Sequence, residues 1–191
     1  MIEVAVQQMT IGERKVLYKT SYAIGKIDVG IRLSSDAMDV HTIVDIALVY
    51  KSRTRGINTI WYGNPQNEFV VDETSHCYGS SWNDDDLRIS VDFNKIPSDI
   101  ERMSIITNIL WGKDLKQHYG LINKGYMHIY SHEEKSDIIE YPINWFEHKG
   151  KTGMIWAEIY PYKDEWKIKA IEESLNSKDL GELANVAGSY L

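Results

Sequence analysis

The stretch "KIDVGIRL", residues 26–33, decides the fold. Ile27, Val29, Ile31 and Leu33 fall on one face, and Lys26, Asp28, Gly30 and Arg32 on the other. That period of two is the mark of a half-buried antiparallel strand. The same alternation recurs in "LRISVDF" (87–93), where Leu87, Ile89, Val91 and Phe93 point inward and Arg88, Ser90 and Asp92 outward. "TIVDIALVY" (42–50) is apolar on both faces except at Asp45, so it reads as a central strand covered on both sides. "NTIWYG" (58–63) runs into the turn cluster Gly63-Asn64-Pro65, and Pro97-Ser98-Asp99 separates "LRISVDF" from "MSIITNIL" (103–110). "GYMHIYS" (125–131), "GMIWAEIYPY" (153–162) and "EWKIKAI" (165–171) add three more strands. Many short strands between turn signals predict an all-β fold, a β-sandwich of mainly antiparallel sheets. Helix is scarce. The tail, 175–191, predicts a short C-terminal helix with Ser177 as N-cap and Leu180, Leu183, Val186 and Ala187 at helical spacing, and a turn of helix is expected near Asp114–His118.

The 191 residues suit one domain spanning 1–191, with no repeat or low-complexity linker to divide it. A hydrophobic fraction of 43% and a charged fraction of 26% are those of a globular chain. No run of about 18 apolar residues predicts a membrane span. The first fifteen residues, "MIEVAVQQMTIGERK", lack the basic start and apolar block of a signal peptide. The single cysteine, Cys77, excludes an internal disulfide framework and a Cys-rich zinc site. These features predict a cytoplasmic protein. A net charge of −7 repels phosphate backbones and argues against nucleic acid as a partner.

Motifs that look chemical dissolve on inspection. Gly150-Lys151-Thr152 has the end of a phosphate loop, but Trp145 stands where that loop needs its first glycine, so a polar turn is expected. His128 and His132 are four apart, the spacing of a zinc pair on a helix, but His128 lies in a strand, and two surface histidines are expected. Cys77 has His76 beside it, but neighbours in a strand point oppositely, and no Gly-x-Ser-x-Gly elbow occurs. Trp61, Trp156 and Trp166 are expected in the core, and Trp82 outside it.

Residues 72–86, "DETSHCYGSSWNDDD", carry Asp72, Glu73, Asp84, Asp85 and Asp86 with several more oxygen donors. Calcium takes six to eight such oxygens on a flexible turn. A cation or water equally relieves the repulsion among the carboxylates.

The stretch "TGMIWAEIYPYKDEWKIKAIEES" (152–174) resembles the signature of the TerD family, tellurium-resistance and stress proteins of bacteria. Thr152, Met154, Glu158, Tyr160, Glu165, Trp166, Lys167 and Ala170 match it in order and spacing. "IALVY" (46–50), "TIWYG" (59–63), "ISVDFNKIPSDIERMSI" (89–105) and "YGLINKGYMHIY" (119–130) resemble further family segments in the right order. The resemblance covers about residues 26–174. It implies a β-sandwich and a non-enzymatic, calcium-binding component of a stress or tellurium-resistance system, with other proteins of that system as partners.

The resemblance also implies where calcium would sit, between a loop opening the "IALVY" strand and the loop before "ISVDF". Both depart from the family pattern. The two motif aspartates of the first loop fall on Thr42 and Val44, and Asp45 is new at an alanine position. In the second, His76 and Cys77 replace an Asp-Asn pair, Asp85 and Asp86 survive, Asp84 replaces a glycine and Leu87 a glutamate. A Gly-Gln-Gly after the last family strand is replaced by Glu172-Glu173-Ser174. Loss of ligand charge weakens calcium. The expectation is a degenerate site with weak or absent calcium, its candidate metal ligands being Asp84, Asp85, Asp86, Asp45 and His76. Two other readings stay open: a carboxylate-based hydrolase or lyase using the 72–86 loop with His76 as base, and a small-molecule-binding sandwich using exposed aromatics such as Trp82.

Overall fold

A computed structural model describes residues 6–19, 25–34, 43–73, 87–122 and 124–191. Two six-stranded sheets face one another. Numbered along the chain, the first sheet runs in the order β1 (Gln7–Gln8), β10 (Ser136–Pro142), β9 (Lys124–Ser131), β3 (Lys26–Ser34), β7 (Leu87–Asp92) and β6 (Val70–Asp72). The second is β2 (Arg14–Lys19), β12 (Glu165–Leu175), β11 (Gly153–Tyr162), β8 (Ile100–Ile109), β4 (Val44–Ser52) and β5 (Gly56–Ile60). The pairings are antiparallel except that of β1 with β10. The β-sandwich expected from alternation is the fold observed.

The inner faces form one core. Ile27, Val29, Ile31 and Leu33 of β3, with Leu87, Ile89 and Val91 of β7, pack against Ile46, Leu48 and Tyr50 of β4 and Met103 and Ile105 of β8. On β11 the alternation is interrupted. Trp156 and Ala157 both face this core, because the register slips between Ile155 and Ala157 against both neighbouring strands. A β-bulge of this kind places two successive side chains on one face. Trp156 is fully buried, while Trp61 and Trp166 are half-buried at core margins.

The doubly apolar β4 finds its second cover in α2 (Leu180–Tyr190). Leu180, Leu183, Ala184 and Ala187 of the helix pack on Ala47 and Val49 of β4, Ile106 of β8 and Ile155 of β11. The helix starts later than Ser177. Asp179 is its N-cap, accepting the Glu182 amide at 2.8 Å, while Glu182 reaches back to the Lys178 amide at 2.6 Å. Ser177 is buried and its hydroxyl donates to Asn108 Oδ1 at 2.5 Å, so it serves the sheet rather than the helix. The expected turn near residue 114 is α1 (Gly112–Leu115), bracketed by the left-handed residues Trp111 and Lys116.

These contacts fix two expected costs. Leu183→Ala empties a fully buried site between helix and sheet and lowers unfolding stability by about 2–5 kcal/mol. Asp179→Ala removes a cap and lowers it by about 1 kcal/mol. Urea unfolding of the two variants measures both.

Candidate functional site

Of the five candidate metal ligands, the structure describes only Asp45; Asp84, Asp85, Asp86 and His76 lie outside the described residues, as do Thr42, Cys77 and Trp82. Asp45 is buried on β4, opposite Asn108 of β8. Successive strand residues point to opposite faces. Val44 therefore joins the intersheet core, and Asp45 lies on the face of Ala47 and Val49, the one that α2 covers. Asp45 does not take up the direction that Val44 vacates. Among the described residues no three His, Cys, Asp or Glu side chains converge on a position that could hold a metal ion. Of the acidic 72–86 stretch, only Asp72 and Glu73 are described, and Glu73 lies 3.4 Å from Lys26 Nζ.

A polar cluster occupies the outer face of the first sheet, where alternation predicts a solvated surface. Asp28, Arg32, Arg88, His128, His132 and Asp137 line a cleft of about 580 Å³. Asp28 is buried. Its Oδ1 accepts Ser90 Oγ at 2.5 Å and lies 2.9 Å from His132 Nε2, and its Oδ2 lies 4.0 Å from Arg88 Nη1. His128, expected at the surface, is 1% exposed, and its Nδ1 donates to Asp137 Oδ1 at 2.6 Å. Arg32 donates to the Tyr126 hydroxyl at 2.6 Å.

The burial of His128 has a local cause. Gly30 is its cross-strand partner, and the imidazole folds over that glycine. A Cβ on residue 30 would sit 2.1 Å from His128 Nε2 and within 2.9 Å of two ring carbons. The missing side chain on β3 is the slot that the β9 histidine fills. Two histidines are thus each held by a carboxylate in one cleft. The arrangement can hold a polar ligand, but both imidazoles spend a nitrogen on an aspartate, and the Ser90 hydroxyl is spent on Asp28.

A second network is buried beneath the 3-10 turn Trp145–His148. His148 Nε2 donates to Glu172 Oε1 at 3.0 Å, His148 Nδ1 lies 2.9 Å from Ser174 Oγ, and the Tyr141 hydroxyl donates to Glu172 Oε2. Glu172 adopts a φ of 53°, left-handed backbone that non-glycine residues rarely take. It stands at the first glycine of the Gly-Gln-Gly segment in the resembled pattern. Its carboxylate, bonded from two sides, offsets that strain. At the same end of the sandwich, the side-chain amide of Gln117 and Nδ1 of His118 are buried with no hydrogen-bond partner among the described residues.

Two buried tyrosine hydroxyls are held above their ordinary value of 10.0. For Tyr141 the causes are burial, then its bond to the Glu172 carboxylate. For Tyr119 burial also leads, with the Asp45 charge adding and the bond to Thr107 opposing. The folded state therefore keeps protons that the unfolded chain releases. Their contribution to stability is fully present below about pH 10 and is lost as pH rises above it. Tyr141→Phe makes that alkaline loss shallower in urea midpoints measured from pH 8 upward, on the order of one proton less. Gly30→Ala drives His128 from its slot and lowers stability by about 1–3 kcal/mol, read by thermal unfolding.

The family model described as the TerD domain matches residues 6–186. The chain is 27% identical over 127 residues to Stress response protein SCP2 of Bacillus subtilis (strain 168), covering 66% of this chain and 63% of that protein. It is 24% identical to General stress protein 16U of the same bacterium, over 94% of both. A crystal structure described as a homologue of telluride resistance protein (TerD), SCO6318 from Streptomyces coelicolor A3(2), superposes with a TM-score of 0.67 at 12% identity, over 86% of this chain and 97% of that one.

Proposed function

The chain belongs to the TerD-domain family, and we propose that it acts as a non-enzymatic binding or scaffold component of a bacterial stress-response or tellurium-resistance system. The observation that carries the reading is the family match over residues 6–186. The names of the relatives support it, since they are called stress response and general stress proteins. The partners are other proteins of the same system, and the compartment is the cytoplasm.

The proposal includes a calcium site in decay. Calcium is a hard ion that needs several carboxylate or carbonyl oxygens around one point. The described residues do not fit it: Val44 offers no donor, and Asp45 sits on the opposite face of β4. The sequence leaves Asp84, Asp85 and Asp86 as the remaining carboxylates, which supports weak calcium binding at most. Function then rests on surfaces rather than on metal-dependent chemistry.

The test is genetic. Deleting the coding sequence in its own host sensitises cells to tellurite or to oxidative and chemical stress, and the wild-type chain restores growth. A deletion strain with unchanged tolerance to every such challenge contradicts the reading. Rescue by an Asp85→Ala, Asp86→Ala double variant is expected, because the role does not depend on tight calcium.

A further inference from the structure

One end of the sandwich carries apolar and cationic tips together. The segment from β8 toward β9, residues 110–122, and the segment from β10 to β11, residues 143–151, meet there: the Tyr119 amide donates to the Lys151 carbonyl at 2.9 Å, and the Tyr119 and Trp145 rings lie 5.7 Å apart. On these interlocked segments Phe146 is 77% exposed, Trp111 56%, Leu115 53% and Leu121 39%. Single exposed apolar residues are ordinary, but several on one small rim mark a contact surface.

Charge says what the surface contacts. The same two segments hold Lys113, Lys116, Lys149 and Lys151 against Asp114 and Glu147. This is a locally cationic rim on a chain of net charge −7. The first three lysines are exposed. Long aliphatic stems let such lysines lie over apolar surroundings while their ammonium groups reach phosphates.

Several backbone amides of the rim are paired locally. An unpaired amide is costly away from water. Here the amides of Leu115, Gln117, Leu121, Ile122, Glu147 and Lys151 all donate within the rim's own turns. Trp111 and Lys116 hold left-handed backbone at φ of 54° and 55°, and both side chains are exposed. A bulky residue keeps such a conformation only when its surroundings impose it, and the result here is a fixed outward tryptophan beside a lysine.

We propose that this rim seats the protein on the surface of a bilayer containing anionic lipid. Trp111, Leu115 and Phe146 enter the boundary between headgroups and acyl chains, and Lys113, Lys116 and Lys149 face the lipid phosphates. Exposed apolar groups and clustered lysines act together in such binding. The inference does not rest on the stress-system reading or on calcium.

The test uses the full chain with vesicles of equal parts phosphatidylglycerol and phosphatidylcholine, and with phosphatidylcholine alone, in EDTA at low salt. The protein sediments with the anionic vesicles and not with the neutral ones, and tryptophan emission shifts to the blue. Trp111→Asn with Phe146→Ser removes the apolar tips while keeping a residue tolerant of left-handed backbone. Lys113→Glu with Lys116→Glu reverses the charge. Each pair weakens vesicle binding by about tenfold or more while leaving the melting temperature unchanged. Lys113→Gln with Lys116→Gln, a milder pair, weakens it by less. No sedimentation with anionic vesicles overturns the proposal. So does binding that survives either the aromatic or the lysine pair, and so does a rim that captures a protein partner while ignoring lipid.

Discussion

Three neighbouring strands of the second sheet must bury both of their faces, and the rest of the molecule is arranged around that need. β4, β8 and β11 give one face to the intersheet core and the other to α2. Among the described residues the helix has no other apolar partner of comparable extent, and these strand faces have no other cover. Their joining fixes the C-terminal segment and brings Ser177 onto Asn108. It also leaves Asp45 buried on the face of β4 that points away from the intersheet core.

Much of this architecture is legible in the sequence. The alternation of 26–33 and 87–93 gives strands whose inner faces are those observed, and the two-sided apolar character of 42–50 calls for a second cover. What one sequence does not give is which element supplies it. The helix start is misplaced by two residues because Ser177 and Asp179 are both good caps, and only the contact with Asn108 decides between them. The slip on β11 is hidden for a similar reason. "MIWAEI" is apolar but for Glu158, so the sequence marks no break where the register slips against both flanking strands.

The outer face of the first sheet was the least legible part. Period two sends Asp28, Arg32, His128 and His132 outward, and outward ordinarily means solvated. Burial of His128 depends on Gly30 lying directly across from it, a pairing of residues nearly a hundred positions apart. The available signal was a glycine on the polar face of an otherwise regular strand, which often marks a close approach by another group. Glu172 is a parallel case. A glutamate where the resembled pattern has glycine looks like simple divergence, until Tyr141 and His148 are seen to hold its carboxylate.

The calcium site proposed to be in decay would leave this TerD-family chain with its sandwich and without the donors for tight calcium. Titration calorimetry of the purified chain with calcium tests it most directly. The expected outcome is no saturable heat at micromolar calcium and a melting temperature that millimolar calcium leaves in place. A site at 100-fold saturation would add about 2.7 kcal/mol of stability. A saturable micromolar isotherm with a rise of several degrees, both abolished by Asp85→Ala with Asp86→Ala, would contradict it.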